Sequence, residues 1–252
     1  SAHRAAVRRL LDGETDAVVV EKRYLRPDGE SRWARTTIAM SHGDPGERAH
    51  LIASAEDVTE AREALEEISE RTDLLVVGTR GLGPVLGSLL GSVSRGILHD
   101  AGCPVAVIRS DEHRAGPVLA AYDGSDAAGE AVDEAADLAA AWGAVLRVIH
   151  VRAGATPPRP GDGEAADAGS RSDAILAEGA ARASARHGGL EVQTRMVRDR
   201  TVAEGLFDAA TGARMLVIGH RGLSRGPFGS TAHAIVLHAT GNVAVVRRGA
   251  LE

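Results

Sequence analysis

Hydrophobic positions change their period along the chain. From Asp16 to Val58 short apolar stretches alternate with polar ones: "DAVVVEKRYL", "SRWARTTIAM" and "AHLIASAEDV", parted by the turn "RPDGE" and the loop "SHGDPGER". In that turn Pro27 presets one backbone dihedral and Gly29 accepts a positive one. An antiparallel meander of three strands is predicted. Thr59 to Ser69, "TEAREALEEIS", has helical spacing, with Thr59 as N-cap, Ala61, Leu65 and Ile68 on one face, and Glu63 and Glu67 outward. It meets Leu74 without a linker of Gly, Pro or Ser.

Leu74 to Arg109 reads strand, glycine loop, helix, strand. "LLVV" and "VAVIR" are continuous apolar runs of the kind buried on both faces of a parallel sheet, and Ser92 to Ala101 is helical in spacing. Gly116 to Val246 carries a longer alternation. It contains the strand "PVLAAYDGS", a helix closed by Gly143, "AVLRVIHV", the loop "AGATPPRPGDGEAADAGS", the helix "DAILAEGAARASARHGG", "LEVQTRMV", and the helix "TVAEGLFDAATGA". The region ends on "MLVIGHRGLSRGPFGSTAHAIVLHATGNVAVVR", an echo of Leu74–Arg109. The order βαβαβαβαβ predicts an α/β fold with a right-handed, doubly wound parallel sheet of five strands, whose ligands sit beyond the strands' carboxyl ends.

Both glycine clusters fall at that edge. The first, Gly78, Gly81, Gly91 and Ser92, has the spacing GxxGx9GS. Glycine lets a ligand approach the peptide groups, and a serine at a helix start adds a hydroxyl to the free N–H groups of the first turn. Phosphates can be held this way without an ammonium group. A single such loop is better explained by strand capping and helix packing; its recurrence between two strands, twice, favours a ligand.

The element resembles the glycine loop of the universal stress protein family, whose ATP-binding members carry GxxGx9G(S/T) after the fourth strand and a fifth strand like "PVAVIR". The resemblance covers Leu74–Arg109 as a partial copy and Pro117–Arg248 as a complete one, with "AAYDGS" after the first strand and "RVIHV" at the second. It implies Mg-ATP as ligand. Asp123 matches the acidic residue near the nucleotide and Val151 the position beside the adenine, while Gly219, Gly222, Gly229, Ser230 and Thr231 match the ribose and phosphate loop. In the first copy the matches are Gly78, Gly81, Gly91, Ser92 and Val93. Both copies depart from the pattern. The first lacks the three strands that bring the Asp and the adenine wall, and the second has six residues between Gly222 and Gly229 where the family has nine. The meander, with Asp57 and Thr59 leading into a helix, resembles the C-terminal half of a PAS sensor domain; no haem or flavin is expected without the other half.

Composition narrows the chemistry. Hydrophobic residues make up 44% and aromatics 2%, so the core must be packed from Ala, Val, Leu and Ile. A net charge of -6 argues against a nucleic-acid binder. Lys22 is the only lysine, which excludes a GxxxxGK[ST] loop and a Schiff-base lysine beyond it. The lone Cys103 and the absence of a long apolar run predict a cytoplasmic protein outside the membrane. "SAHRAAVRRL" lacks a signal peptide's apolar core and reads as the middle of an amphipathic helix. His233 and His238 are five apart, not the i, i+4 of a metal pair, and no metal site is expected. His150 reads as a satisfied core histidine and Cys103 as packing. Arg80, Arg221 and Arg225 adjoin the loops and are equally suited to phosphate or to solvent.

The expected organisation is a PAS-like fragment over 1–70, a partial copy over 71–114 and a complete domain over 115–252. The fifth strands "PVAVIR" and "VAVVR" are expected to pair edge to edge, as an intrachain pseudo-dimer or a homodimer. Two functions remain open: a stress-response regulatory module that binds ATP, with binding favoured over turnover because no general base is evident, and a nucleotide-free dimerising module that relays a sensory signal.

Overall fold

The structure, a computed structural model, describes residues 8–12, 14–15, 17–41, 50–78, 101–109, 112–154, 163–220 and 229–247. They fall into two compact units that part at Glu67–Ile68.

The first unit is the predicted meander. Strands β1 (Ala17–Leu25), β2 (Ser31–Ser41) and β3 (His50–Asp57) form an antiparallel sheet in the order β1-β2-β3. Gly29 takes a φ of 86° in the turn, and Asp28 accepts the Glu30 N–H at 2.8 Å. Helix α1 (Thr59–Ser69) follows. Its start differs from expectation: the Thr59 hydroxyl accepts the Trp33 N–H of β2 at 2.8 Å, and Asp57 accepts the Thr59 N–H at 3.0 Å. Thr59 therefore ties the helix to the sheet, and Asp57 holds the turn. The buried stripe also differs. Arg62 is buried whereas Ala61 is exposed, because the Arg62 guanidinium lies 3.8 Å over the Trp33 ring and 3.7 Å from Glu21. Cation–π attraction and an ion pair draw a charged residue inward where periodicity alone points to an apolar one.

The second unit holds one seven-stranded sheet. Its strands are β4 (Leu75–Gly78), β5 (Val105–Ile108), β6 (Val118–Ala121), β7 (Leu146–Ala153), β8 (Val192–Asp199), β9 (Met215–Gly219) and β10 (Val243–Val246). Among the described residues its helices are α2 (Asp126–Trp142), α3 (Gly163–Arg186), α4 (Val202–Ala209) and α5 (Ser230–His238). The order is β4-β5-β10-β9-β6-β7-β8. The five strands from β10 to β8 are parallel, as predicted. The partial copy extends this sheet: β4 pairs with β5 in parallel, and β5 pairs with β10 antiparallel. Of the two pairings open to the fifth strands, the structure contains the one within the chain. Ala106 lies opposite Ala244, flanked by Val105–Val245 and Val107–Val243, so each strand meets its own counterpart across a local two-fold axis. The copies also share a register, since Leu75 donates to the Pro104 carbonyl at 2.9 Å and Leu216 to the Asn242 carbonyl at 3.0 Å.

The core is built from small residues. Ala131, Val132, Ala135, Ala136 and Ala139 of α2 are fully buried against Val118, Ala120, Val148 and Val217 of the sheet. Ser125 caps α2 by accepting the Ala128 N–H, and Gly143 closes it with a φ of 59°. Helix α3 begins at Gly163, inside the stretch predicted as loop. The Pro and Gly of that stretch drew it towards loop, while "EAADA" favours helix.

Val107 is fully buried at the junction of the two copies. Val107→Ala is expected to destabilise this unit by about 2 kcal/mol, read from urea unfolding midpoints.

Candidate functional site

Beyond the carboxyl ends of β6, β7 and β9 lies a cavity of about 230 Å³. Its walls are mostly apolar: Ala121, Ile149, Val151, Val202, Leu206 and Ile218, with Ala128 and Ala232 from the first turns of α2 and α5. The polar contributions come from Asp123, His150, Ser230 and Thr231.

The elements that carry these groups explain their positions. Asp123 follows β6 and accepts both the N–H and the hydroxyl of Ser125, at 3.0 and 2.6 Å. That turn fixes its carboxylate at the mouth of α2. His150 alternates with Ile149 and Val151 along β7, and its Nδ1 lies 2.9 Å from the Tyr122 carbonyl. Tyr122 is buried. Its phenol is pushed up to about 12, first by burial and then by its hydrogen bond to Glu178.

Helix α5 opens at the cavity. Its N-cap, Gly229, has no side chain to accept from the first turn, so the peptide dipoles of that turn are available to an anion. Gly229 donates to the His220 carbonyl at 3.0 Å, and His220 donates to the Val246 carbonyl at 2.9 Å. The ends of the loop between β9 and α5 are thereby held together and tied to β10.

Gly219 has a steric reason to be glycine. A Cβ there would stand 2.6 Å from the Ala127 carbonyl oxygen, so the end of β9 packs directly on the backbone of α2. At Gly78, its counterpart in the partial copy, a Cβ meets nothing within 4 Å. The same motif position is a packing requirement in one copy and open in the other.

Of the residues marked in the sequence, Asp123, Val151, Gly219, Gly229, Ser230 and Thr231 surround the cavity. Gly78 ends β4, away from it. Gly81, Gly91, Ser92, Val93 and Gly222 lie outside the described residues, as do Arg80, Arg221 and Arg225. The sequence reading missed the wall supplied by Val202 and Leu206, whose i, i+4 spacing on α4 marks a shared face, and it missed that a hydrogen-bonded His150 also faces the cavity. Cys103 is buried, and burial pushes its thiol up, which fits packing.

The family model of the universal stress proteins matches residues 5–109 and 115–247. The chain belongs to the universal stress protein family. It is 35% identical over 194 residues to a universal stress protein of Mycolicibacterium smegmatis, covering 73% of this chain and 64% of that protein. A universal stress protein of Mycobacterium tuberculosis is 32% identical over 190 residues, again with 64% of its length covered. The match thus spans less than two thirds of these relatives. Among solved structures, a universal stress protein from Archaeoglobus fulgidus superposes with a TM-score of 0.54 at 28% identity, over 75% of this chain and 67% of that one. The first family match begins before the meander and runs through β5.

Two outcomes follow from the packing. Gly219→Ala is expected to cost about 1–3 kcal/mol, and Gly78→Ala less than about 0.5 kcal/mol, in paired unfolding experiments. Because the folded-state value of Tyr122 is raised above the ordinary 10.0, its contribution is complete below pH 10 and is lost as pH climbs towards about 12. Tyr122→Phe should flatten that alkaline loss of stability, measured by unfolding at a series of pH values.

Proposed function

We propose that the second unit is a regulatory adenine-nucleotide binder of the stress response, with Mg-ATP as its ligand and one site per complete copy. The observation that carries this reading is the cavity itself. An apolar slot between Ile149, Val151, Val202 and Leu206 ends at the first turn of α5, which suits a flat base at one end and phosphates at the other. Val151 would lie against the adenine. Gly219 and Gly229 admit the ribose and phosphates close to the backbone, and the Ser230 and Thr231 hydroxyls with the first-turn N–H groups take the phosphate charge. Asp123, held by Ser125, would accept from the sugar or draw the magnesium ion. No lysine lines the cavity, and the two basic groups among its described residues are engaged, Asp123 by Ser125 and His150 Nδ1 by the Tyr122 carbonyl, so the role is retention of nucleotide, with hydrolysis slow at most.

For residues 17–69 the reading is a sensory fragment of PAS type. Its support is the antiparallel order β1-β2-β3 and the Asp57–Thr59–Trp33 hydrogen bonds at the start of α1.

Ser230 offers a clean test, because it is exposed and stands in the first turn of α5. Mg-ATP at about a hundred times its dissociation constant should add about 2.7 kcal/mol to stability, seen as an upward shift in Tm. Ser230→Glu places a carboxylate where the phosphates sit, yet favours the helix dipole. It is expected to abolish the ATP shift and leave the ligand-free Tm unchanged or slightly higher. An equal ATP shift in wild type and variant, or none in wild type at millimolar ATP, overturns the reading and favours a nucleotide-free interaction module.

A further inference from the structure

The partial copy ends on Arg109, and its side chain leaves its own copy. Arg109 Nη1 donates to the Gly241 carbonyl at 3.2 Å, and Nη2 donates to the Val236 carbonyl. Val236 belongs to the last turn of α5 and Gly241 to the segment leading into β10. A cation is thus set on the carbonyl end of the helix whose amide end opens on the cavity. The guanidinium is partly desolvated there, and burial lowers its affinity for the proton, a cost offset by the two carbonyls. Its Nε is buried without a hydrogen-bond partner, so the two terminal nitrogens supply the specific contacts.

The backbone of Arg109 is held too. Its N–H donates to Asn242 Oδ1 at 2.8 Å, and Asn242 Nδ2 donates to the Arg214 carbonyl at 3.1 Å, just before β9. Asn242 has the register position that Pro104 has in the other copy. Proline carries no side-chain amide, so a matching latch on Arg247 cannot be made by residue 104. The latch that Asn242 makes on the Arg109 N–H therefore has no counterpart at residue 104.

We propose that Arg109 is a positioning residue for the candidate site: from the partial copy it fixes the far end of α5, and through that helix it sets the first turn that faces the cavity. Helix α5 has nine residues, a rod of about 13 Å, short enough for a tilt at one end to be felt at the other. Tight packing favours such transmission, since Ile235 and Val236 on its inner face are buried. The consequence for ligand rests on the nucleotide reading above; the consequence for α5 itself does not.

The experiment compares Arg109→Ala, Arg109→Lys and Val107→Ala in the full chain. Val107→Ala weakens the same strand junction but leaves the two guanidinium–carbonyl contacts at the helix end in place, so it controls for stability. Mg-ATP affinity is measured by titration calorimetry. In parallel, amide exchange is followed at His233, which donates to Gly229, and at Gly229, which donates to His220. Expected are a loss of affinity of about tenfold in Arg109→Ala, recovery to within about threefold in Arg109→Lys, and little change in Val107→Ala. Exchange at the two amides should quicken in Arg109→Ala and not in Val107→Ala. If wild type binds no ATP, the nucleotide reading fails while the exchange data still decide the coupling. Equal exchange in Arg109→Ala and Val107→Ala, or unchanged affinity in an Arg109→Ala protein whose wild type binds, overturns the proposal.

Discussion

A parallel sheet built from βα units ends on strands whose N–H and C=O groups point outward, and an apolar strand left in that state recruits whatever backbone it meets. The chain resolves this at β10 by bringing its own partial copy alongside. The pairing of β5 with β10 is antiparallel and nearly self-symmetric, with Ala106 against Ala244 and valines on either side. Small residues let the strands and their covering helices close without voids. The seven-stranded sheet, the position of Arg109 on α5 and the burial of Val107 all depend on that junction.

The cavity illustrates how one residue type can serve two needs. Glycine at the end of β9 admits a ligand to the backbone, yet Gly219 is also required by the contact with Ala127 in α2. Its presence alone therefore says little about nucleotide. Gly78 at the same place in the partial copy is under no such constraint. The features that speak for a ligand are the others: an uncapped helix end, a carboxylate fixed by Ser125, and an apolar slot between them.

Much of this architecture was legible from the chain. The apolar runs "PVAVIR", "VLAA" and "MLVI" predicted buried strands correctly because both faces of the sheet are covered there, whereas "LLVV" forms β4 at the sheet's edge, where Val76 is exposed. Gly29 and Gly143 marked a turn and a helix end through their positive φ. Six residues marked by family resemblance meet around one cavity because strand ends in this topology converge on one edge. Other features were hidden for physical reasons. Arg62 is buried by an aromatic ring and a glutamate distant in sequence, which no local period reveals. The Thr59 hydroxyl is spent on β2 and not on its own helix for the same reason. The start of α3 at Gly163 was masked by a Pro/Gly bias in the preceding residues.

The exchange of Pro104 for Asn242 at matched positions has a meaning of its own. Two identical subunits must carry every change twice, once on each side of their axis. A junction folded into a single polypeptide is free of that rule: a side chain can be gained on one side while the other keeps a proline. A substitution in the partial copy can therefore act on its neighbour without being mirrored in it.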